Sequence, residues 1–168
     1  MISQFNSQDT MNIKIFDCTF RDGGHLNKWN FDTLCVKASY YAALKSGVDY
    51  FETGYRFPEE KVGLGPFGYC RDKLLREIFD PSEHCKLAVM IDAGKCESSE
   101  FTECIPRNTP IQVVRVAAYP YELEKAIRLV GQLYDKGYEV FLNLMAASEL
   151  RANEYKLLRN WKNKNVVS

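Results

Sequence analysis

Short apolar runs alternate with longer stretches of helical periodicity along nearly the whole chain. Five runs rich in Val, Ile, Leu, Phe and Tyr, at about 12–18, 48–54, 86–92, 111–118 and 138–145, read as strands. Several are almost continuously apolar, the pattern of parallel strands buried on both faces. Between them apolar residues recur every three to four positions. Phe31, Leu34, Cys35, Ala38, Tyr41 and Ala42 form one such face, stopped by Gly47. Leu123, Ala126, Ile127, Val130, Leu133 and Tyr134 form another, stopped by Gly137. A shorter face at 74–79 ends at Pro81, a weak helix is expected over 98–105 before Pro106, and a last helix over 149–162. Segment 19–30, glycine-bearing and charged, is expected to be a long loop.

Five β-α units in succession imply an α/β fold with a parallel sheet and right-handed crossovers. Two architectures satisfy the pattern: a complete five-stranded doubly wound sheet, or the first five units of an incomplete (β/α)8 barrel, which needs about 250 residues in full. Periodicity does not separate them, and the length of 168 residues alone favours the doubly wound sheet. The domain is expected to span 12–168, after a flexible polar extension at 1–11.

Charge narrows the partners. Lys plus Arg and Asp plus Glu number 22 each, so no net field favours nucleic acid or an anionic membrane. No apolar run reaches the roughly 20 residues of a membrane span. The polar N-terminus lacks the basic and apolar regions of a secretory signal. The six cysteines include no C-x-x-C pair and read mostly as buried free thiols, compatible with a reducing cytoplasm. Neither a G-x-G-x-x-G nor a P-loop motif is present, which argues against a nucleotide-binding version of the sheet.

The chemistry concentrates at the end of the first strand, in Asp17-Cys18-Thr19-Phe20-Arg21-Asp22-Gly23-Gly24-His25. A cation, a carboxylate, two glycines and an imidazole there stand where parallel α/β folds place their sites. Each has a structural rival: an Arg21–Asp22 ion pair at a strand end, or a surface loop histidine at His25. His84 reads as a turn residue. Glu52, inside an apolar strand, requires a partner, and Arg115 on the fourth strand is the candidate. Asn143 is a candidate for pocket polarity, and Tyr119-Pro120-Tyr121 either lines or caps the pocket.

This run resembles the D-x-T-x-R-D-G signature of the DRE-TIM metallolyase superfamily. That group takes in hydroxymethylglutaryl-CoA lyase-like and pyruvate carboxyltransferase-domain proteins, metal-dependent pyruvate aldolases and acyl-condensing synthases. The likeness continues through Phe51-Glu52-Thr53-Gly54-Tyr55-Arg56, Leu64-Gly65-Pro66-Phe67, Val114-Arg115-Val116-Ala117 and Val140-Phe141-Leu142-Asn143-Leu144-Met145, over roughly 12–160. It is nearest to the 4-hydroxy-2-oxovalerate aldolase-like branch, because His25 falls where those enzymes carry their catalytic histidine. The resemblance implies an incomplete (β/α)8 barrel and a carbon–carbon lyase. Such an enzyme cleaves a 4-hydroxy-2-oxo acid to pyruvate and an aldehyde through a metal-stabilised enolate.

By the same resemblance Arg21 holds the 2-oxo acid and stabilises the enolate, and His25 is the base. Asp22 binds Mn²⁺ or Mg²⁺, while Gly23, Gly24, Glu52 and Asn143 contact substrate. The two further histidine ligands implied by the family come as His-x-His on a late strand. This chain has only His25 and His84. The expectation is therefore a chain truncated after its fifth unit, with strands six to eight and the histidine pair absent. Its open barrel would be covered by a homodimer or by a complementing C-terminal half-barrel, or left as an inactive remnant or interaction module.

Overall fold

A computed structural model of the chain describes residues 13–80, 82 and 84–161. The expected extension at 1–11, and the point near 165–168 where a sixth strand was to begin, lie outside the described residues. The strands are β1 (Phe16–Asp17), β2 (Tyr50–Tyr55), β3 (Lys86–Asp92), β4 (Val113–Ala118) and β5 (Glu139–Leu144). The helices are α1 (Thr19–Asn27), α2 (Thr33–Lys45), α3 (Asp72–Ile78), α4 (Leu123–Asp135) and α5 (Ala152–Asn160). No helix among the described residues is long and apolar enough to cross a membrane.

All strand pairs are parallel and the spatial order is β1-β2-β3-β4-β5. This decides between the two architectures. A doubly wound sheet reverses its strand order at a switch point, whereas here each strand is added on the same side of the last. The sheet also curls. Four strand spacings of about 4.8 Å would hold β1 and β5 roughly 19 Å apart in a flat sheet, yet the rings of Phe16 and Phe141 meet edge to face at 5.5 Å. Phe16 and Phe141 pack with buried Tyr50, Ala88 and Val113 as a small inner cluster. Alternate residues of the same strands, such as Leu87, Val89, Val114, Val116 and Val140, enter the larger core that also takes in α2, α3 and α4. The chain is five β-α units of an incomplete barrel.

Three local readings are corrected. Residues 19–30 are not a loop, because most of them form α1. Two glycines in a helix interior each cost about 1 kcal/mol relative to alanine, which is why the sequence reads as a loop. Packing overrides that cost. Phe20 is buried against Phe31 and Phe51, and the Trp29 indole lies across Gly24 and donates through Nε1 to the Arg21 carbonyl at 3.1 Å. Lys28 ends α1 in the left-handed conformation, its N–H donating to the Gly24 carbonyl.

Segment 98–105 forms only a single 3₁₀ turn, Ser98–Glu100. Its backbone is satisfied from elsewhere: Lys136 Nζ donates to the Phe101 carbonyl, the Tyr138 hydroxyl to the Thr102 carbonyl, and the Cys104 N–H to the Lys136 carbonyl. Phe101, the main apolar residue of the stretch, is buried beneath the Arg56 guanidinium. Of the expected first strand, 12–18, the described residues 13–18 keep only two in a strand, Phe16 and Asp17; it ends there because Asp17 Oδ1 accepts the Thr19 N–H at 2.9 Å and turns the chain into α1.

Candidate active site

The site is built where β1 passes into α1, at the C-terminal ends of the strands. Arg21, in the first turn of α1, projects back over β2. Its Nε donates to Glu52 Oε2 at 3.0 Å and its Nη1 lies 2.8 Å from Asp22 Oδ1. Glu52 is 0% exposed. On its other side Arg115 of β4 brings Nε to 3.5 Å from Glu52 Oε1, donates from Nη1 to Cys18 Sγ at 2.9 Å, and lies over the Phe16 ring. One buried carboxylate thus stands between two guanidiniums, and the partner expected for Glu52 is joined by a second, Arg21. The register shift at Glu52–Gly54 marks a bulge beside this cluster, the kind of irregularity that re-aims a side chain next to a site.

Burial pushes the Glu52 carboxyl above the ordinary range, against the pull of Arg115 and Arg21. Burial likewise pushes the Cys18 thiol up, with the Glu52 charge adding to it and Arg115 opposing. Desolvation works against the Arg21 cation, but Glu52 outweighs it and the guanidinium is held above its usual value. Arg21 is therefore a fixed, permanently charged fork at the strand ends. At 3.5 Å the Glu52 Oε1–Arg115 Nε approach is too long for a hydrogen bond, and both atoms are buried without one.

His25 follows Arg21 by one helical turn, on the same face of α1. Its exposed ring stands edge-on to Trp29 at 4.8 Å and to Tyr55 at 6.1 Å. A pocket of about 380 Å³ opens here, lined by His25, Tyr55, Asp92, Lys95, Tyr119 and Tyr121 among others. Tyr55 links the two parts. Burial raises its hydroxyl pKa, the Asp92 carboxylate adds to that, and the neighbouring Arg21 guanidinium opposes it. A second cavity, about 420 Å³, lies at the opposite end of the strands, around the Lys86–Glu139 ion pair, and contains none of these groups.

Arg21 thus contacts both Asp22 and Glu52, while His25, one helical turn on, lines the pocket, which Arg21, Asp22, Glu52 and Asn143 do not. Gly23 and Gly24 lie in the α1 interior, Gly24 buried under Trp29. Asn143 stands across the sheet on β5, where its Nδ2 approaches Met145 Sδ at 3.2 Å. His84 is exposed near a bend, its N–H on Ser82 Oγ. The sequence reading missed Trp29, Tyr55, Asp92 and Lys95. Asp92 carried a usable signal: it closes the third apolar run and so sits at a strand's C-terminal end, as Asp17 does for the first. Trp29 carried none, since its place depends on two consecutive left-handed residues, Lys28 and Trp29, each with φ of 57°.

The described residues do not make a complete cation site. Among them no three His, Cys, Asp or Glu side chains converge, and the exposed Asp22 carboxylate is already engaged by Arg21.

No protein-family model matches the chain. It is 28% identical over 142 residues to a 4-hydroxy-2-oxovalerate aldolase of Serratia proteamaculans (strain 568), a match covering 80% of this chain and 40% of that enzyme. Its fold superposes with a TM-score of 0.65 and 26% identity on a crystal structure of the N-terminal domain of a presumed aldolase from Bacteroides vulgatus, covering 89% of this chain and 48% of the other. The chain therefore spans less than half the length of either relative. Sequence and fold agree that it is an aldolase-like half-barrel of five β-α units.

Proposed function

We propose that this half-barrel carries the substrate-binding and proton-transfer groups of a carbon–carbon lyase. Its reaction is cleavage of a 4-hydroxy-2-oxo acid to pyruvate and an aldehyde. The observation that carries the reading is the Arg21 guanidinium, locked on buried Glu52 and set one helical turn from an exposed imidazole at the pocket. A fixed cation in a partly dehydrated cleft stabilises the negative charge that develops on the oxo oxygen as the carbon–carbon bond breaks. Arg21 does this, and its fork also matches the carboxylate of the oxo acid. His25, with free access from the pocket, accepts the proton of the 4-hydroxyl.

A divalent cation, Mn²⁺ or Mg²⁺, goes with this reading through one hard oxygen ligand, Asp22. The described residues do not complete its ligand set, and the roles of Arg21 and His25 stand without it. The setting is a reducing cytoplasm, in keeping with the six free cysteines. A non-catalytic role, as one half of an assembly closed by a second copy or by a complementing half-barrel, is the second reading. It is favoured by the side chains of the described residues, no three of which among His, Cys, Asp and Glu come together around a cation.

The test is pyruvate release from 4-hydroxy-2-oxovalerate by the purified chain with Mn²⁺, with and without chelator. Acetyl-CoA plus a 2-oxo acid serves as the arm for an acyl-condensing synthase. Cleavage that falls at least about a hundredfold in Arg21→Ala is expected, the usual loss for a removed oxyanion donor. Wild-type turnover in that variant would refute the role of Arg21. A folded chain that releases no pyruvate would leave the assembly reading.

A further inference from the structure

Two tyrosines at the rim of the pocket have no place in the chemistry above. Tyr119 and Tyr121, on the turn after β4, hold their rings parallel, 5.6 Å between centroids and 5° between planes. Large aromatic side chains are ordinarily withdrawn from water, yet these are 44% and 79% exposed. The turn is rigid. Pro120 fixes its first position, Glu122 Oε2 accepts the Tyr119 N–H at 3.1 Å, and the Glu122 N–H donates to the Tyr119 carbonyl at 2.9 Å. Glu122 is itself seated against Gly94, where a Cβ would strike its Oε1. The result is a preformed aromatic platform at the pocket rim.

The rest of the pocket sets charged groups against an apolar floor of Met90, Ala117, Ala118 and Met145. Lys95 Nζ lies 2.8 Å from Asp92 Oδ2, and Glu122 completes two carboxylates and one ammonium beside the platform. A purely apolar ring laid on the tyrosines would strip water from these charges without replacing its hydrogen bonds, which is unfavourable. A phosphate-bearing group would meet two carboxylates against one ammonium. A ring or chain dense in hydroxyls satisfies both surfaces: its C–H face packs on the tyrosine rings, and its hydroxyls donate to Asp92 and Glu122 and accept from Lys95. The volume of about 380 Å³ falls in the range of about 300–1,000 Å³ that takes drug-sized ligands. A five-carbon oxo acid would leave much of it empty.

We propose that the pocket accepts a substrate whose aldehyde half is a sugar-like, polyhydroxylated group stacked on Tyr121, the more open ring of the pair, with Tyr119 backing it. This rests on the lyase reading for the oxo-acid end, but the platform can be tested without turnover. Saturation-transfer NMR on the intact chain would follow methyl β-glucoside as the sugar probe and benzyl alcohol as the apolar ring. The glucoside is expected to bind and benzyl alcohol to bind more weakly. Tyr121→Ala should weaken the glucoside about fivefold, equivalent to about 1 kcal/mol, and Tyr121→Phe should restore it. Absence of glucoside binding, equal binding in Tyr121→Ala, or preference for benzyl alcohol would overturn the proposal. Pyruvate release retained alongside any of those results would sink the platform alone, whereas glucoside binding without pyruvate release from either 4-hydroxy-2-oxovalerate or a polyhydroxylated 4-hydroxy-2-oxo acid would sink the lyase reading alone.

Discussion

Gly23 and Gly24 stand side by side in α1, yet alanine should act on them in opposite directions. In a helix interior the exchange is worth about 0.5–1 kcal/mol through the entropy of the unfolded chain. At Gly23 the added Cβ meets the Phe31 ring, Cζ at 3.6 Å and Cε1 at 3.9 Å, ordinary contacts, so Gly23→Ala should stabilise by that amount. At Gly24 the Cβ would fall on Cδ1, Nε1 and Cγ of the Trp29 indole. The ring must leave, at an overpacking cost of about 1–3 kcal/mol. The Nε1–H bond to the Arg21 carbonyl goes with it, for about 1 kcal/mol more. After the helical gain, Gly24→Ala should destabilise by about 1–3 kcal/mol, a gap of about 2–4 kcal/mol between the two variants. Urea denaturation of both, at unchanged m-value, measures the gap. Equal stability of the two variants would show that Trp29 does not require Gly24. A Gly23→Ala chain that folds normally but binds no oxo acid would return that glycine to a role in substrate approach.

Glu52→Gln keeps the side chain's shape but removes the negative charge that stands between Arg21 and Arg115. It should cost about 3–5 kcal/mol, as for a broken buried pair, and a denaturation midpoint equal to wild type would refute the buried-pair assignment. Asp72 is pushed up by burial, but the Arg56 guanidinium and the Thr109 hydroxyl outweigh that and hold its carboxyl below the usual range. A depressed folded-state pKa adds stability above the unfolded value of about 3.9 and loses it as pH falls through the folded value. Asp72→Asn should therefore flatten the decline in stability below about pH 4, and an unchanged acid limb would refute this. Trp29→Phe removes the donor to Arg21 and replaces the indole facing His25 with a smaller ring. In NMR the His25 ring resonances should move while those of His84 stay, and an unmoved His25 would separate Trp29 from the imidazole.

The sequence by itself determined the order of the strands along the chain and the place of the charged cluster after β1. Both follow from local physics. The alternation of β-branched runs with 3.6-residue periodicity is set residue by residue, and a charged cluster directly after an apolar run marks a strand's C-terminal end. It also demanded a partner for Glu52, since a carboxylate in an apolar strand cannot be left alone. The tertiary structure decided what depends on residues distant in sequence. Strand order is one such property, because every β-α unit looks alike whichever side of the sheet receives it; Phe16 meeting Phe141 settles that the sheet curls. The helical state of residues 19–27 is another, since Trp29 packed over Gly24 reverses what two glycines imply locally. The site follows the same division. Arg21 and Asp22 are legible as neighbours in the chain, whereas Asp92 at the end of β3, Lys95 just after it and the tyrosines after β4 reach the His25 pocket only because parallel strands deliver all their C-terminal ends to one side.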